Sequence, residues 1–486
     1  MAFKDLREFL DKLEKEGEVK RIGAEVDWND EIAAIGQEAA KKELPALIFE
    51  NIKDYQDTPG RKVLFNVLGT YQRIALALGL PKDTHIREIM SVWRERTKNP
   101  IKPILVSTGP CKEVVKKGDD INVLDFPILK LHPKDGGRYI HWSVCITKDP
   151  ETGWVNAAMY NSMIFDKKTI STSPIRTQHM AIHARKYEAM GKPMPFAIAI
   201  GCEPVTSMVG TAPFPMGVNE FDMAGGLRQQ PVDLVKCETV DLEVPATAEI
   251  VIEGLVDLDP KNFRPEGPFG RYSGYYTSVW STNMAPVVNV TCITHRKDPI
   301  FDADNNPARF YGAIKVCTIT HSAGVWDVLE ESGIKATGVW TDGSAHWSNI
   351  FVSIDKSNYG EAKQVAAAIW GGRLSAMKGK YVVVVDSDID IFDFREINHA
   401  IAFRTRGQED IVIFPNTMGS ALDPGIHPDS KAETIMGKWD RVLIDATWPF
   451  EWKAREEWGG LKHPPSALAD PGMVEKVKNR WKEYGL

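Results

Sequence analysis

The densest chemistry in the chain lies between Arg264 and Tyr276, RPEGPFGRYSGYY. A carboxylate at Glu266 and a guanidinium at Arg271 stand five residues apart across a Pro-Phe-Gly turn. Gly267, Gly270 and Gly274 let the backbone take tight or left-handed conformations and come close to a ligand. Two readings fit. In one, both charges face a single pocket as a pair, and the carboxylate is available for acid–base work. In the other, the stretch is a glycine-rich hairpin whose ion pair sits in solvent and contributes little.

The common catalytic patterns do not occur. The Gly379-Lys380 pair lacks the upstream glycine of a phosphate loop. No dinucleotide GxGxxG follows a predicted strand, and neither HExxH nor GxSxG is present. Asp386, Asp388 and Asp390 are laid out like the start of a calcium loop. However, Ile391 and Ile397 stand where that loop needs Gly and a bidentate Glu, so the run reads as a solvated strand end. His132 and His463 read as structural histidines.

The elements that must position this chemistry form a chain of 486 residues, enough for two or three domains with real cores. Lys plus Arg number 59 and Asp plus Glu 66, a net charge of −7 that argues against a nucleic-acid partner. Cys111, Cys145, Cys202, Cys237, Cys292 and Cys317 are scattered without a CxxC pair, as expected of reduced thiols in a cytoplasmic protein. The charged, amphipathic N-terminus is not a signal peptide, and no apolar run predicts a membrane helix.

Phe3, Leu6, Phe9, Leu10 and Leu13 share a helical face that Gly17 is placed to end. An α/β pattern follows, with helices over Glu31–Lys42, Arg73–Leu78 and Ile86–Thr97 and strands over Ala46–Phe49 and Lys62–Leu68. From about Pro110 short β-branched and aromatic runs predict an antiparallel β-domain of barrel type, interrupted by a helix over Thr177–Met190. Beyond about Pro307 the α/β alternation resumes, with strands at Asn349–Asp355 and Tyr381–Asp386. Helices are expected at Tyr359–Ala368 and Phe394–Phe403, the latter opened by an Asp393/Glu396 capping box. A last helix spans Pro471–Tyr484.

The β-rich middle also carries long specific stretches. In WVNAAMYNSMIFDKKTISTSPIRTQHMAIHARKYEAMGKPMPFAIAIG, Asn156 precedes His179 by 23 residues, with Gln178 directly before the histidine. GVNEFDMAGGL supplies Glu220, and DLEVPATAEIVIEG and RPEGPFGRYSGYY follow. In this order and spacing the chain resembles the UbiD family of prenylated-FMN-dependent decarboxylases and carboxylases. The resemblance extends from FLDKLEKEGEVKRI to VVVVDSDIDIFD and LIDATWP.

The resemblance implies an α+β protein in three parts. These are an N-terminal α/β domain (1–109), a central split β-barrel flavin domain (110–306) and a C-terminal α/β domain with a terminal oligomerisation helix (307–486). It further implies a homodimer or larger homo-oligomer such as a hexamer, with the active site between the last two domains. Asn156, His179 and Glu220 match the family's metal ligands, for manganese first, then magnesium or iron, with potassium as an accessory ion. An amide oxygen, an imidazole and a carboxylate suit a fairly hard cation. Asn156, Asn161, Gln178, His179, Glu220, a backbone cradle at Gly210 and Thr211, and Arg441 match the stretches that contact prenylated FMN, which a flavin prenyltransferase would supply.

The chain departs from the family at its catalytic trio. Asn161 stands where the pattern has an Arg, Glu266 keeps the first acid, and Arg271 replaces the second. Loss of CO2 leaves a carbanion equivalent that must be protonated, and Arg is a poor proton donor but a good anion binder. Three explanations stay open. The proton comes from Tyr160, His321, His346, His427 or water; or the working direction is carboxylation; or Arg271 clamps an extra anionic group. The expected activity is non-oxidative decarboxylation or carboxylation of an aromatic acid or its CoA-thioester or phosphorylated form, as in anaerobic aromatic metabolism. The rival expectation is a non-catalytic flavin-binding or assembly subunit.

Overall fold

The computed structural model describes residues 2–172, 174, 177–270, 273–276, 283–304, 312–374, 378–420, 422–427, 429–430 and 437–485. The first helix, Leu6–Lys15, buries Leu6, Phe9, Leu10 and Leu13, and Asp5 caps it by accepting from the Glu8 N–H. Gly17 ends it at φ 74°, a left-handed conformation that glycine takes without strain.

This helix packs beside a four-stranded sheet ordered 19–22, 46–49, 62–65 and 300–303. The fourth strand returns from far along the chain and lies parallel to Lys62–Phe65. The predicted strand over Lys62–Leu68 therefore stops at Phe65, where Asn66 turns the backbone at φ 60°.

The middle of the chain forms a seven-stranded sheet whose pairings are all antiparallel. Its path runs Thr169–Ser171, Val287–His295, Ile250–Asp257, Met194–Ile200, Val144–Lys148 and Val155–Ala158, with Val114–Lys117 on the long 287–295 strand. Among the described residues the sheet is open and does not close into a barrel. At one edge the chain leaves the ladder after Ala158, and the Met159 N–H donates to the Gly210 carbonyl (2.9 Å) instead of to a further strand. The β-rich run Trp154–Ile164 accordingly forms two short strands, and the run Ile140–Thr147 is interrupted at Trp142 (φ 62°). Apolar side chains bury both faces of this sheet, in two large cores.

The C-terminal part is a five-stranded sheet ordered 336–341, 349–354, 381–386, 438–446 and 411–418, with buried apolar clusters on both faces. Ile314–Glu331 forms an 18-residue helix that periodicity does not reveal. It is apolar or small on nearly every face because it is covered along most of its length, by the Ile86–Thr97 helix on one side and the 336–341 strand on another. The Asp393 cap accepts from the Arg395 N–H as expected, but Glu396 accepts from the Asp390 N–H, so the capping box closes on a neighbouring turn. Arg404 forks onto Asp386 and Asp388, which accounts for the acidic run. The terminal segment forms an exposed helix, Pro471–Asn479, then a short 3-10 turn over Trp481–Tyr484. No helix among the described residues is long and apolar enough to cross a membrane.

Candidate active site

A cavity of about 500 Å³ lies between the open edge of the central sheet and the Ile314–Glu331 helix with its neighbouring loops. Asn156, Asn161, Gln178, His179, Gly210, Thr211 and Glu220 all line it. Each sits where an element starts or stops. Asn156 is on the edge strand Val155–Ala158, and Asn161 lies just past it. Gln178 and His179 open the helix His179–Ala189, and Glu220 opens Glu220–Arg228 behind its Asn219 cap. Gly210 and Thr211 follow the short helix Pro204–Val209.

The electrostatics of this wall are those of an unsatisfied site. Asn156 is fully buried, and its Oδ1 has no hydrogen-bond partner. Glu220 accepts from the Ala157 N–H (2.9 Å), yet burial pushes its carboxyl up to about 8. Burial also pulls the His179 imidazole down, so it is neutral and able to ligate. A buried amide oxygen, a neutral imidazole and a carboxyl held up only by desolvation are the donors a divalent cation satisfies, and its charge would return Glu220 to the ionised form.

The opposite wall comes from the C-terminal part, and much of it escapes sequence reasoning. Cys317 and His321 project from the Ile314–Glu331 helix, and His346, Trp347, Arg373 and Lys378 come from loops. His346 and Trp347 are consecutive non-glycine residues in the left-handed region, at φ 51° and 56°, a strained arrangement of the kind that collects at functional sites. His321 packs edge-on against the Trp347 ring at 4.1 Å. Burial, then Lys378 and His346, pull the His321 imidazole well below its usual value. Lys378 is buried, and burial draws its ammonium down to about 7 despite the nearby Cys317 thiol. The signal for Lys378 was present in the sequence as a residue next to the Gly379-Lys380 pair, but no motif singles it out.

Arg441 does not line this cavity. Its buried guanidinium donates to the carbonyls of Lys378 (3.0 Å) and Met418 (3.2 Å) and to Thr417 Oγ1 (3.0 Å). Arg441, expected at the cofactor, fixes the loop here, and Lys378 of that loop lines the cavity. His427 is three-quarters exposed beside Asp429 and also lies outside the lining, whereas Tyr160, His321 and His346 are part of it.

Glu266 is buried on the strand Arg264–Glu266, behind rather than in the cavity lining, and its Oε2 has no hydrogen-bond partner among the described residues. The loop that follows is clamped by His132–Gly136. Gly270 N–H donates to Asp135 Oδ1 (2.9 Å), and Gly136 N–H donates to the Pro268 carbonyl (2.7 Å). His132, as expected, is structural here, with its Nδ1 3.0 Å from Asp135 Oδ2. Phe269 stacks on Tyr139 at 4.0 Å and lies 6.4 Å from the cavity-lining His141. Arg271 lies outside the described residues.

The chain matches the family models of the 3-octaprenyl-4-hydroxybenzoate carboxy-lyases at all three domains: N-terminal over 10–93, the central Rift-related domain over 104–307, and C-terminal over 315–446. It is 37% identical to an uncharacterized protein of Archaeoglobus fulgidus over 99% of both chains. Among solved structures, the UbiD-class enzyme HmfF of Pelotomaculum thermopropionicum, in complex with FMN, is 32% identical over 97% of this chain and 98% of that one, with a TM-score of 0.83. The vanillic acid decarboxylase of Sedimentibacter hydroxybenzoicus in its closed form is 30% identical, over 100% of this chain and 99% of that one, with a TM-score of 0.87. These matches define a class of carbon–carbon lyases that release or fix CO2. The chain belongs to the UbiD family and is a UbiD-class carboxy-lyase.

Proposed function

We propose that the protein binds prenylated FMN and a divalent cation in the cavity and decarboxylates or carboxylates an aromatic acid, free or activated. The observation that carries this reading is the convergence of Asn156 Oδ1, His179 and Glu220 with Gln178, Gly210 and Thr211 on one wall of a 500 Å³ cavity, opposite a buried Lys378. The three donors fit manganese or magnesium, and Lys378 fits a phosphate, whereas the expected backbone cradle does not, because the Gly210 and Thr211 N–H groups already donate to the Met208 carbonyl. When bound, the modified flavin supplies an electron sink for the carbon that loses or gains CO2. The protein's share is to hold that carbon in the cavity beside Asn161 and to keep water out. The domain limits 1–109, 110–306 and 307–486 and assembly as a homo-oligomer are part of this proposal.

The test is anaerobic co-expression with a flavin prenyltransferase, followed by mass spectrometry and absorbance of the released flavin. The expected result is prenylated FMN near one per chain, lost in His179→Ala or Glu220→Ala. Loaded protein is then given vanillic acid, other hydroxylated benzoic acids and aryl-CoA thioesters, with CO2 release and label exchange from 13C-bicarbonate as readouts. Wild-type protein that retains no flavin sinks the reading. Loaded protein that neither releases nor exchanges CO2 with any acid points to an assembly subunit.

A further inference from the structure

Glu266 stands behind the cavity lining, and the position that pairs with it in the family pattern is an arginine, so the cavity needs another group to manage the proton at the reacting carbon. Of the donors weighed from sequence, His427 is on the surface. Tyr160 is buried with its hydroxyl accepting from the Met180 N–H (3.3 Å), and burial pushes its phenol up, away from useful acidity. His321 is held by the Thr211 backbone and packs edge-on against Trp347, which His346 also packs against, so both rings are fixed by structural contacts.

His141 is different. It is buried and lines the cavity on the same side as the Phe269 loop. It lies in the break between the strands Tyr139–Ile140 and Val144–Lys148, next to Trp142, a buried bulky residue in the left-handed region. Such a conformation is strained and persists where the surroundings impose it. Its Nδ1 lies 2.7 Å from Oδ1 of Asn161, the residue that stands where the family pattern places an arginine. An amide oxygen can only accept, so Nδ1 carries the hydrogen and the imidazole is oriented with Nε2 as its titrating nitrogen.

We propose that His141 is the catalytic acid–base of this enzyme, with Asn161 as its orienting partner, an inference that rests on the functional reading above. In decarboxylation the bond between the ring carbon and the carboxylate breaks, CO2 departs, and the electron pair left on carbon takes the proton from the His141 imidazolium. The neutral imidazole then regains a proton from water. Carboxylation runs the same steps backwards, with neutral His141 removing the ring proton.

A proton donor has a signature that a merely structural residue lacks. CO2 exchange requires the carbon–carbon bond to break and re-form but no protonation, whereas net release requires both. The experiment compares wild type with His141→Gln and His141→Asn as flavin-loaded enzymes, using vanillic acid or the best acid of the panel. Net decarboxylation should fall at least 100-fold, within the range for losing a general acid, while 13CO2 exchange into the acid stays within threefold and flavin content is unchanged. If exchange and net release fall together, or net release persists in both variants, the assignment is overturned. A wild type that exchanges with no acid overturns the underlying functional reading instead, and the two failures are told apart by the wild type alone.

Discussion

At the scale of single residues, the cavity is built from groups whose ordinary partners are missing or replaced. Glu220 is held near 8 by burial, so the apoprotein carries it protonated at neutral pH. Glu220→Gln should therefore fold as well as wild type, judged by urea melts without metal, yet lose at least tenfold in Mn2+ affinity by calorimetry. Lys378 sits near 7 because burial opposes its charge. Binding of a phosphate-bearing flavin would favour the ammonium, so Lys378→Met should weaken FMN binding by tenfold or more, and the wild-type advantage should narrow as pH rises above 7. Arg441 spans at least four acceptors with its fork, a geometry that one ammonium cannot reproduce. Both Arg441→Ala and Arg441→Lys should cost about 2–3 kcal/mol in urea unfolding, the cost of leaving buried carbonyls unpaired.

Among the elements, the His132–Gly136 segment and the 264–270 loop act as one unit. A Cβ on Gly136 would lie 2.0 Å from the Gly267 carbonyl oxygen, so Gly136→Ala must push the acid-bearing loop away. The expected outcome is a loss of turnover with flavin content nearly intact, because Phe269 of this loop packs 6.4 Å from the cavity-lining His141 while the loop itself lies outside the lining. The first helix supplies a pH-dependent case. Burial raises the Asp5 carboxyl, but bonds from the Glu8 N–H (2.9 Å) and Arg296 (2.9 Å) outweigh it and leave it below its ordinary value. A carboxyl lowered on folding stabilises at pH above its unfolded value and loses that contribution as pH falls through the folded one. Asp5→Ala should cost about 1 kcal/mol at neutral pH, and the gap should narrow in urea melts below pH 3.8.

For the whole molecule, the decisive feature is that one cavity draws its two walls from distant parts of the chain. Asn156, His179 and Glu220 come from the middle, and His321, Trp347 and Lys378 from the C-terminal third. A ligand that spans both walls ties those parts together. Flavin and metal at 1,000 times their dissociation constant should raise stability by about 4 kcal/mol, seen as a higher melting temperature that EDTA treatment reverses. The Ile86–Thr97 helix joins the same assembly through Arg94, which pairs with Glu330 (2.6 Å) and lies over the Trp326 ring (4.4 Å) on the Ile314–Glu331 helix.

The sequence alone was enough for what depends on local rules and on ordered motifs. Amphipathic spacing placed the first helix and its Gly17 stop, β-branched runs placed strands such as Val287–His295, and the long ordered stretches marked the family and the residues on one cavity wall. The tertiary structure decided what periodicity cannot encode. The Ile314–Glu331 helix is buried along most of its length, with exposed acids only in its last turn, and so has no long polar face to betray it. The central sheet stays open because Met159 bonds to Gly210 rather than to a strand. Lys378, which no motif marks, lines the cavity while Arg441 spends its fork on backbone carbonyls, because only packing determines which cation reaches the cavity. His141 carries no motif at all. Its proximity to Asn161 exists only once two short strands have folded back on each other, Tyr139–Ile140 against Ser162–Met163.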